Sequence, residues 1–254
     1  MSESSGELTG PLAEATIPSQ AAIPSNPRPG NYVVIDVASF STTVVELLTN
    51  GATRIHVTDK RGDEFAYQED HPDARIGGGK TDEYEPTEGY DFFNSPSYVQ
   101  SVDVDGKPVA MTSTNGGAAV TDLRTRGGDD VTVYVASTTN AKAVADHLRK
   151  REEPTFAVAA GSNGNASPED NVGAILLHRY LAGDPPSESE LEAYRTVVES
   201  GKAPSWVDRP AVKHRDMLEY CTAVNVRSAV PKLVDRALVD VSGSAAERGE
   251  GAGT

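Results

Sequence analysis

The sequence predicts an α/β fold, with a mixed or mainly parallel sheet, helices on both faces, and room for two α/β subdomains sharing one cleft. Three observations predict it. Four times, a short apolar stretch runs into a turn rich in hydroxyls and amides that opens a helical segment. The first of them, Tyr32 to Val37, is an almost continuous β-branched run, as strands buried on both faces are. Strand and helix signals that alternate in this way build sheets covered by helices.

The elements follow in order. Residues 1–29 carry Pro11, Pro18, Pro24, Pro27 and Pro29 among Ser, Glu and Ala. They lack a sustained apolar period and read as a disordered or loosely packed leader. An α/β domain is expected over 30–241, and a flexible tail of Gly, Ala, Ser and charge over 242–254. The run Tyr32-Val33-Val34-Ile35-Asp36-Val37 is the first buried strand. The turn Ser39-Phe40-Ser41-Thr42-Thr43 leads into helical Val44 to Leu48, which Asn50-Gly51 stops. Arg54-Ile55-His56-Val57 is the next strand. Pro108 to Met111 leads through Thr112-Ser113-Thr114-Asn115-Gly116-Gly117 into Ala118 to Leu123. Val131 to Ala136 leads through Ser137-Thr138-Thr139-Asn140 into Ala141 to Leu148. Phe156 to Ala160 leads through Gly161-Ser162-Asn163-Gly164 to a helix containing Glu169 to Leu177. Ser187-Glu188-Ser189-Glu190 reads as a capped helix start, with its body over Leu191 to Val198. A short helix is expected over Asp216 to Thr222, and a final one over Val230 to Val234, with Pro231 near its N-terminus.

Composition excludes several functions. Acidic residues number 38 and basic residues 23, a formal charge of −15 over 254 residues. Nonspecific nucleic-acid binding needs a basic surface, so that class is excluded. No apolar run approaches the ~18 residues of a membrane span, and no basic segment followed by an apolar one suggests secretion. The single cysteine, Cys221, makes no internal disulfide and suits a reducing cytoplasm. Only 8 of the bases are Lys. Acid-rich, Lys-poor surfaces suit high salt, where self-repulsion is screened, and a mildly acidic ordinary enzyme fits the same count. A homodimer is the default expectation for assembly.

In open α/β sheets, sites form where strands end and loops enter helices. Ser41, Thr42 and Thr43, then Thr114, Asn115 and Gly116, then Thr139 and Asn140, then Ser162 and Asn163 all stand at such places. Helix N-termini offer free N–H groups and partial positive charge, so converging ends would hold a phosphate. Ordinary N-capping explains any one of these turns equally well. Asp36, Asp91, Glu169 and Asp170 are the candidate catalytic carboxylates. Acids beside an anion site repel the substrate unless a cation bridges them. Mg²⁺ held by Asp36, Glu169 and Asp170 resolves that conflict, although dipole complementation and backbone hydrogen bonding also suit these acids.

Other features are weaker. Gly77-Gly78-Gly79-Lys80 lacks Walker spacing and reads as a flexible loop with Lys80 as an anion contact. The five histidines lack metal-ligand spacing; His214, near Asp216, is a minor acid–base candidate. Cys221 reads as a small packed hydrophobe. Tyr32, Phe65, Phe92, Phe93 and Trp206 read as core or loop anchors. Asn165-Ala166-Ser167 matches a glycosylation triplet with no secretion signal to support it.

Together the motifs resemble the 2-phosphosulfolactate phosphatase family, over about residues 31–235. The family pattern Asp-Val-Leu-Arg-Ala-Thr-Thr-Thr corresponds to Asp36 through Thr43, and Gly-Gly-Glu-Arg to Gly77 through Lys80. Phe-Asp-Leu-Gly-Asn-Ser-Pro corresponds to Tyr90 through Pro96, with Asn94 and Ser95. Thr-Thr-Thr-Asn-Gly-Thr corresponds to Thr112 through Gly117, and Ser-Leu-Glu-Asp to Ser167 through Asp170. The resemblance implies a cytoplasmic, Mg²⁺-dependent hydrolase that converts 2-phosphosulfolactate to sulfolactate and phosphate in coenzyme M biosynthesis. The acidity would make it a divergent, halophilic archaeal member.

Two departures stand out. Ser39 replaces the family's arginine in the first motif, and Gly79-Lys80 replaces Glu-Arg. Arginine offers a planar bidentate fork that Ser cannot replace. Ser39, Lys80, Asn94 and Ser95 nonetheless remain expected substrate contacts. The expected reaction runs through a metal-bound water or through a phosphoaspartyl at Asp36. The alternatives are another phosphorylated or sulfonated small acid as substrate, or a non-catalytic anion-binding protein.

Overall fold

A computed structural model of the chain describes residues 15–201 and 210–243. Among them, nine strands form one sheet. These are β1 (Thr16–Ile17), β2 (Gly30–Ile35), β3 (Arg54–Val57), β4 (Arg75–Gly77), β5 (Pro108–Met111), β6 (Val131–Ala136), β7 (Thr155–Ala159), β8 (Pro231–Val234) and β9 (Ala237–Asp240). Their order across the sheet is β1-β7-β2-β6-β8-β9-β3-β5-β4. Seven helices accompany them: α1 (Phe40–Thr49), α2 (Asp63–Asp70), α3 (Gly116–Gly127), α4 (Ala141–Leu148), α5 (Pro168–Leu181), α6 (Glu188–Gly201) and α7 (Ala211–Arg215). A wide turn of π-helix, Asp216–Cys221, continues α7.

Every residue of β2 is buried. Its side chains alternate, as the period of a strand requires. Tyr32 and Val34 join one core with Val44, Val45 and Leu47 of α1 and Val120 and Leu123 of α3. Val33 and Ile35 join a second core with Val144 and Leu148 of α4 and Val172, Leu176 and Leu177 of α5. Helices thus cover both faces, and the expected α/β architecture is present.

The expected pair of subdomains takes the form of two halves of one sheet. Strands β1, β7, β2 and β6 are mutually parallel, and so are β3, β5 and β4. The hairpin β8–β9 joins them through antiparallel pairings at β6 and β3, so the halves run in opposite directions. Four strands separate β2 from β5. At about 4.8 Å per strand, a flat sheet would hold β2 and β5 on the order of 24 Å apart. Yet the residue opening α3, just after β5, donates its N–H to the Asp36 carboxylate at 2.9 Å. The sheet therefore curls, and strands of both halves pack on α1 and α3 in the shared first core.

Three sequence expectations change. Residues 1–14, Trp206 and residues 244–254 lie outside the described residues. Residues 15–29, expected as leader, instead add β1 to the edge of β7 and bury Ile23 in the first core. Residues 230–234, expected as a helix, form β8, because pairing with β9 and β6 outweighs local propensity. Pro231 sits at the first position of that strand, where a missing N–H is tolerated. Helix α2 and strands β4 and β9 went without a sequence signal. Gly77, expected in a flexible loop, ends β4 and pairs with β5 and Phe92.

Glu46, inside α1, is 1% exposed and meets Arg227 in a two-point ion pair, Nε to Oε1 at 2.9 Å and Nη2 to Oε2 at 3.0 Å. Arg227 lies on the segment that feeds β8, so this pair fastens the hairpin to the first core. Removing one partner of a buried pair leaves a charge uncompensated. Arg227→Ala should lower the unfolding free energy by roughly 1–3 kcal/mol in a denaturant titration, since Arg227 keeps partial solvent access. Cys221 is fully buried, its thiol donates to the Val37 carbonyl, and burial pushes its pKa up to about 12. Its thiol should therefore resist alkylation at pH 8 in the folded protein and react on unfolding, as mass spectrometry would report.

Candidate active site

A cleft of about 210 Å³ opens where strands of both halves end. From the β2 and β7 side come Asp36, Ala38, Ser39, Gly161, Glu169 and Asp170. From the β3, β4 and β5 side come Arg61, Gly78, Lys80, Asn94 and the run Thr112 to Asn115. One wall therefore carries the carboxylates, and the other carries the cations and most of the hydroxyls and amides.

Asp36 follows β2 directly. Its own N–H donates to the Ser41 hydroxyl oxygen at 2.9 Å, and its Oδ2 accepts the Gly116 N–H. Gly116 begins α3, so the carboxylate meets a helix N-terminus, where partial positive charge is concentrated. The approach needs glycine. A Cβ on Gly116 would lie 2.8 Å from the Asp36 Oδ2 and 2.5 Å from the Phe40 ring.

Asp170 acts as a brace. Its Oδ1 accepts the Val37 N–H at 2.8 Å, and its Oδ2 accepts the Gly161 N–H at 2.9 Å. It ties the exit of β2 to the exit of β7. Gly161 takes a left-handed φ of +72°, and a Cβ there would fall 2.1 Å from the Asn165 carbonyl oxygen. Burial, followed by the negative charges of Asp36 and Glu169, raises the Asp170 carboxyl well above the usual carboxylate range. Three acids crowded out of water are a place where a cation would relieve repulsion.

The donor set bears on that cation. Among the described residues, no three His, Cys, Asp or Glu side chains are grouped to hold a metal ion. Asp170 has already given both oxygens to backbone N–H groups. Asp170 therefore has less to offer an ion than Asp36 and Glu169, the other two members of the expected set. Mg²⁺ characteristically takes only one or two carboxylates and fills its octahedron with water and phosphate oxygens. Asp36 and Glu169, both lining the cleft, suit such a site.

Several expected site residues serve the framework instead. The hydroxyls of Ser41, Thr42 and Thr43 turn inward to the carbonyls of Val34, Val37 and Ser39. These three residues are fully buried, and buried hydroxyls must be satisfied within the protein. The turn containing Thr139 and Asn140 is covered by the chain's C-terminal segment. The Thr139 carbonyl accepts the Arg227 N–H, and the Asn140 amide donates to the Ala229 carbonyl at 2.9 Å. Asp91 caps the backbone of Ile76 at 2.8 Å. Ser95 donates to the buried Asp216 at 2.7 Å, fixing the loop that presents Asn94. Ser162 and Asn163 form a tight turn beside the cleft without lining it. His214 lines a separate shallow hollow with Arg215 and Leu218.

Arg61 is the charged cleft residue that sequence reasoning missed. Its signal was present, since Lys60-Arg61-Gly62 follows the expected strand Arg54–Val57, at the position where sites form.

A family model described as 2-phosphosulpholactate phosphatase matches residues 17–236. A protein named "probable 2-phosphosulfolactate phosphatase" from Symbiobacterium thermophilum is 35% identical over 160 residues, 62% of this chain and 66% of its own length. One of the same name from Gloeobacter violaceus is 30% identical over 212 residues, 80% of this chain and 88% of its own. Another, from Thermotoga maritima, is 29% identical over 211 residues, with the same two coverages.

If the contact between Gly116 and Asp36 organises the cleft, Gly116→Ala should cost activity out of proportion to stability. We expect phosphate release to fall by roughly 10²-fold or more, on the scale of losing one preorganised donor, while the protein stays folded by circular dichroism.

Proposed function

Because this chain belongs to the 2-phosphosulfolactate phosphatase family, we propose that its cleft hydrolyses the phosphomonoester of a small acidic metabolite, 2-phosphosulfolactate, to sulfolactate and phosphate. The observation that carries this reading is Asp36, held by the N–H of Gly116 at the head of α3 and flanked by the polar run Thr112 to Asn115. Phosphoryl transfer calls mainly for positioning and charge stabilisation. The run Thr112 to Asn115 and Asn94 supply hydrogen bonds for phosphoryl oxygens. Asp36, with one oxygen kept in place by Gly116, orients the attacking water; as the bond from phosphorus to the ester oxygen breaks, the water's proton passes to that departing oxygen. Asp170 maintains the spacing of the two strand exits beneath it.

Asp36 and Glu169 would hold Mg²⁺ in this reading. When bound, the ion would neutralise their charge and polarise the phosphoryl group. We retain the cytoplasm as location, a place in coenzyme M biosynthesis, and a salt-adapted surface as parts of the same proposal. Among the described residues, no helix is long and apolar enough to cross a membrane. The charge of −15 supports the salt adaptation. The relatives described above are bacterial. Ser39 and Gly79, standing where the resembled family has arginine and glutamate, favour a second reading with a different phosphorylated acid as substrate.

Phosphate release from a panel of phosphorylated hydroxy acids, with Mg²⁺ or with chelator, tests both readings. We expect Mg²⁺-dependent turnover of 2-phosphosulfolactate and a loss of roughly 10²–10⁴-fold in Asp36→Asn, the range for a positioned acid–base group. Undiminished turnover in Asp36→Asn would overturn its role. Preference for another panel member would select the second substrate.

A further inference from the structure

We propose that Arg61 recognises the second acid group of the substrate, the carboxylate or sulfonate remote from the phosphoryl group. This rests on the phosphatase reading above and adds the residue that reads the rest of the molecule. The division of charge across the cleft is the first argument. Asp36, Glu169 and Asp170 line one wall, so a second acid group is repelled there. Arg61 and Lys80 line the other wall and, among the described residues, are the cations that line the cleft.

The second argument is how firmly Arg61 is presented. The loop after β3 folds around Glu64, whose side chain is fully buried. The Thr58 hydroxyl donates to its Oε1 at 2.6 Å, and the Gly62 N–H donates to its Oε2 at 2.7 Å. The Tyr90 hydroxyl donates to the same Oε2 at 3.2 Å. A buried carboxylate is costly unless hydrogen-bonded, and this one has three donors. Asp59 is fixed as well, by ion pairs with Arg124 of α3 and Arg236 of the β8–β9 turn. Arg61 thus stands between two anchored neighbours in a loop that would otherwise be a simple connector.

The third argument is what Arg61 does not do. Among the described residues it joins no ion pair, although Asp59, two positions away, draws two arginines. Arg61 is exposed and lines the cleft. Lys80 differs, since its ammonium rests 3.9 Å above the Tyr84 ring. A guanidinium makes two parallel hydrogen bonds to a carboxylate or sulfonate, whereas an ammonium acts as a point charge.

The test compares wild type, Arg61→Ala and Arg61→Lys on 2-phosphosulfolactate and on glycerol 2-phosphate, which lacks a second acid group. Arg61→Ala should raise KM for 2-phosphosulfolactate by roughly 10–100-fold, the scale of lost charged hydrogen bonds, with kcat within about threefold. The preference for 2-phosphosulfolactate should shrink by a similar factor, and Arg61→Lys should recover part of it. An unchanged KM, or equal losses on both substrates, would overturn the assignment. A wild type that releases phosphate from neither compound overturns the phosphatase reading instead. Calorimetric titration with sulfolactate then judges Arg61 alone: weaker binding in Arg61→Ala supports it. Equal affinities, or no binding by wild type, refute it.

Discussion

One hydrogen bond, from the Gly116 N–H to the Asp36 carboxylate, spans the two halves of the molecule. Asp36 ends a strand of one half, and Gly116 follows a strand of the other. Their contact requires the sheet to curl, α1 and α3 to lie within the curl, and residue 116 to lack a Cβ. The cleft is what remains between the strand exits once that contact is made. Its position follows from topology, because the crevice beyond the carboxyl ends of strands is where a twisted α/β sheet leaves space.

The curl also sorts charge. The exits of β2 and β7 bring acids, and the exits of β3 and β4 bring Arg61 and Lys80. Among the described residues, neither half carries both in the cleft. A substrate with a phosphate at one end and another acid at the other meets a gradient across the site. In a protein of net charge −15, that local arrangement matters more than the overall field, which repels anions at low salt and is screened at high salt.

Much of the fold was legible in the sequence, because buried strands and hydroxyl-rich helix starts are local patterns. Asp36, Glu169, Lys80, Asn94, Thr114 and Asn115 were legible in the same way, and the structure places all six around one cleft. The turns after β2, β5 and β6 look alike in sequence, yet only the second lines the cleft along most of its length. The first contributes Ala38 and Ser39, while its Thr and Ser hydroxyls close the end of β2. The third is covered by residues 221–229, some 80 positions later in the chain. A local pattern carries no information about which distant segment will lie over it. For the same reason Val230 to Val234 read as helix, because its strand character comes from its neighbours in the sheet.

The hairpin β8–β9 follows every other described strand in the chain but stands fifth and sixth in the sheet. Each parallel half can pair its own strands as the chain emerges, but no strand of one half is joined through the sheet to the other until the hairpin arrives. The backbone edges of β6 and β3 stay open meanwhile, and open edges are where chains pair wrongly with one another. Long-range pairing of this kind also folds slowly, because the intervening loop must be closed first. The hairpin is thus the keystone of the sheet, closing the edges of β6 and β3 that the two halves leave open.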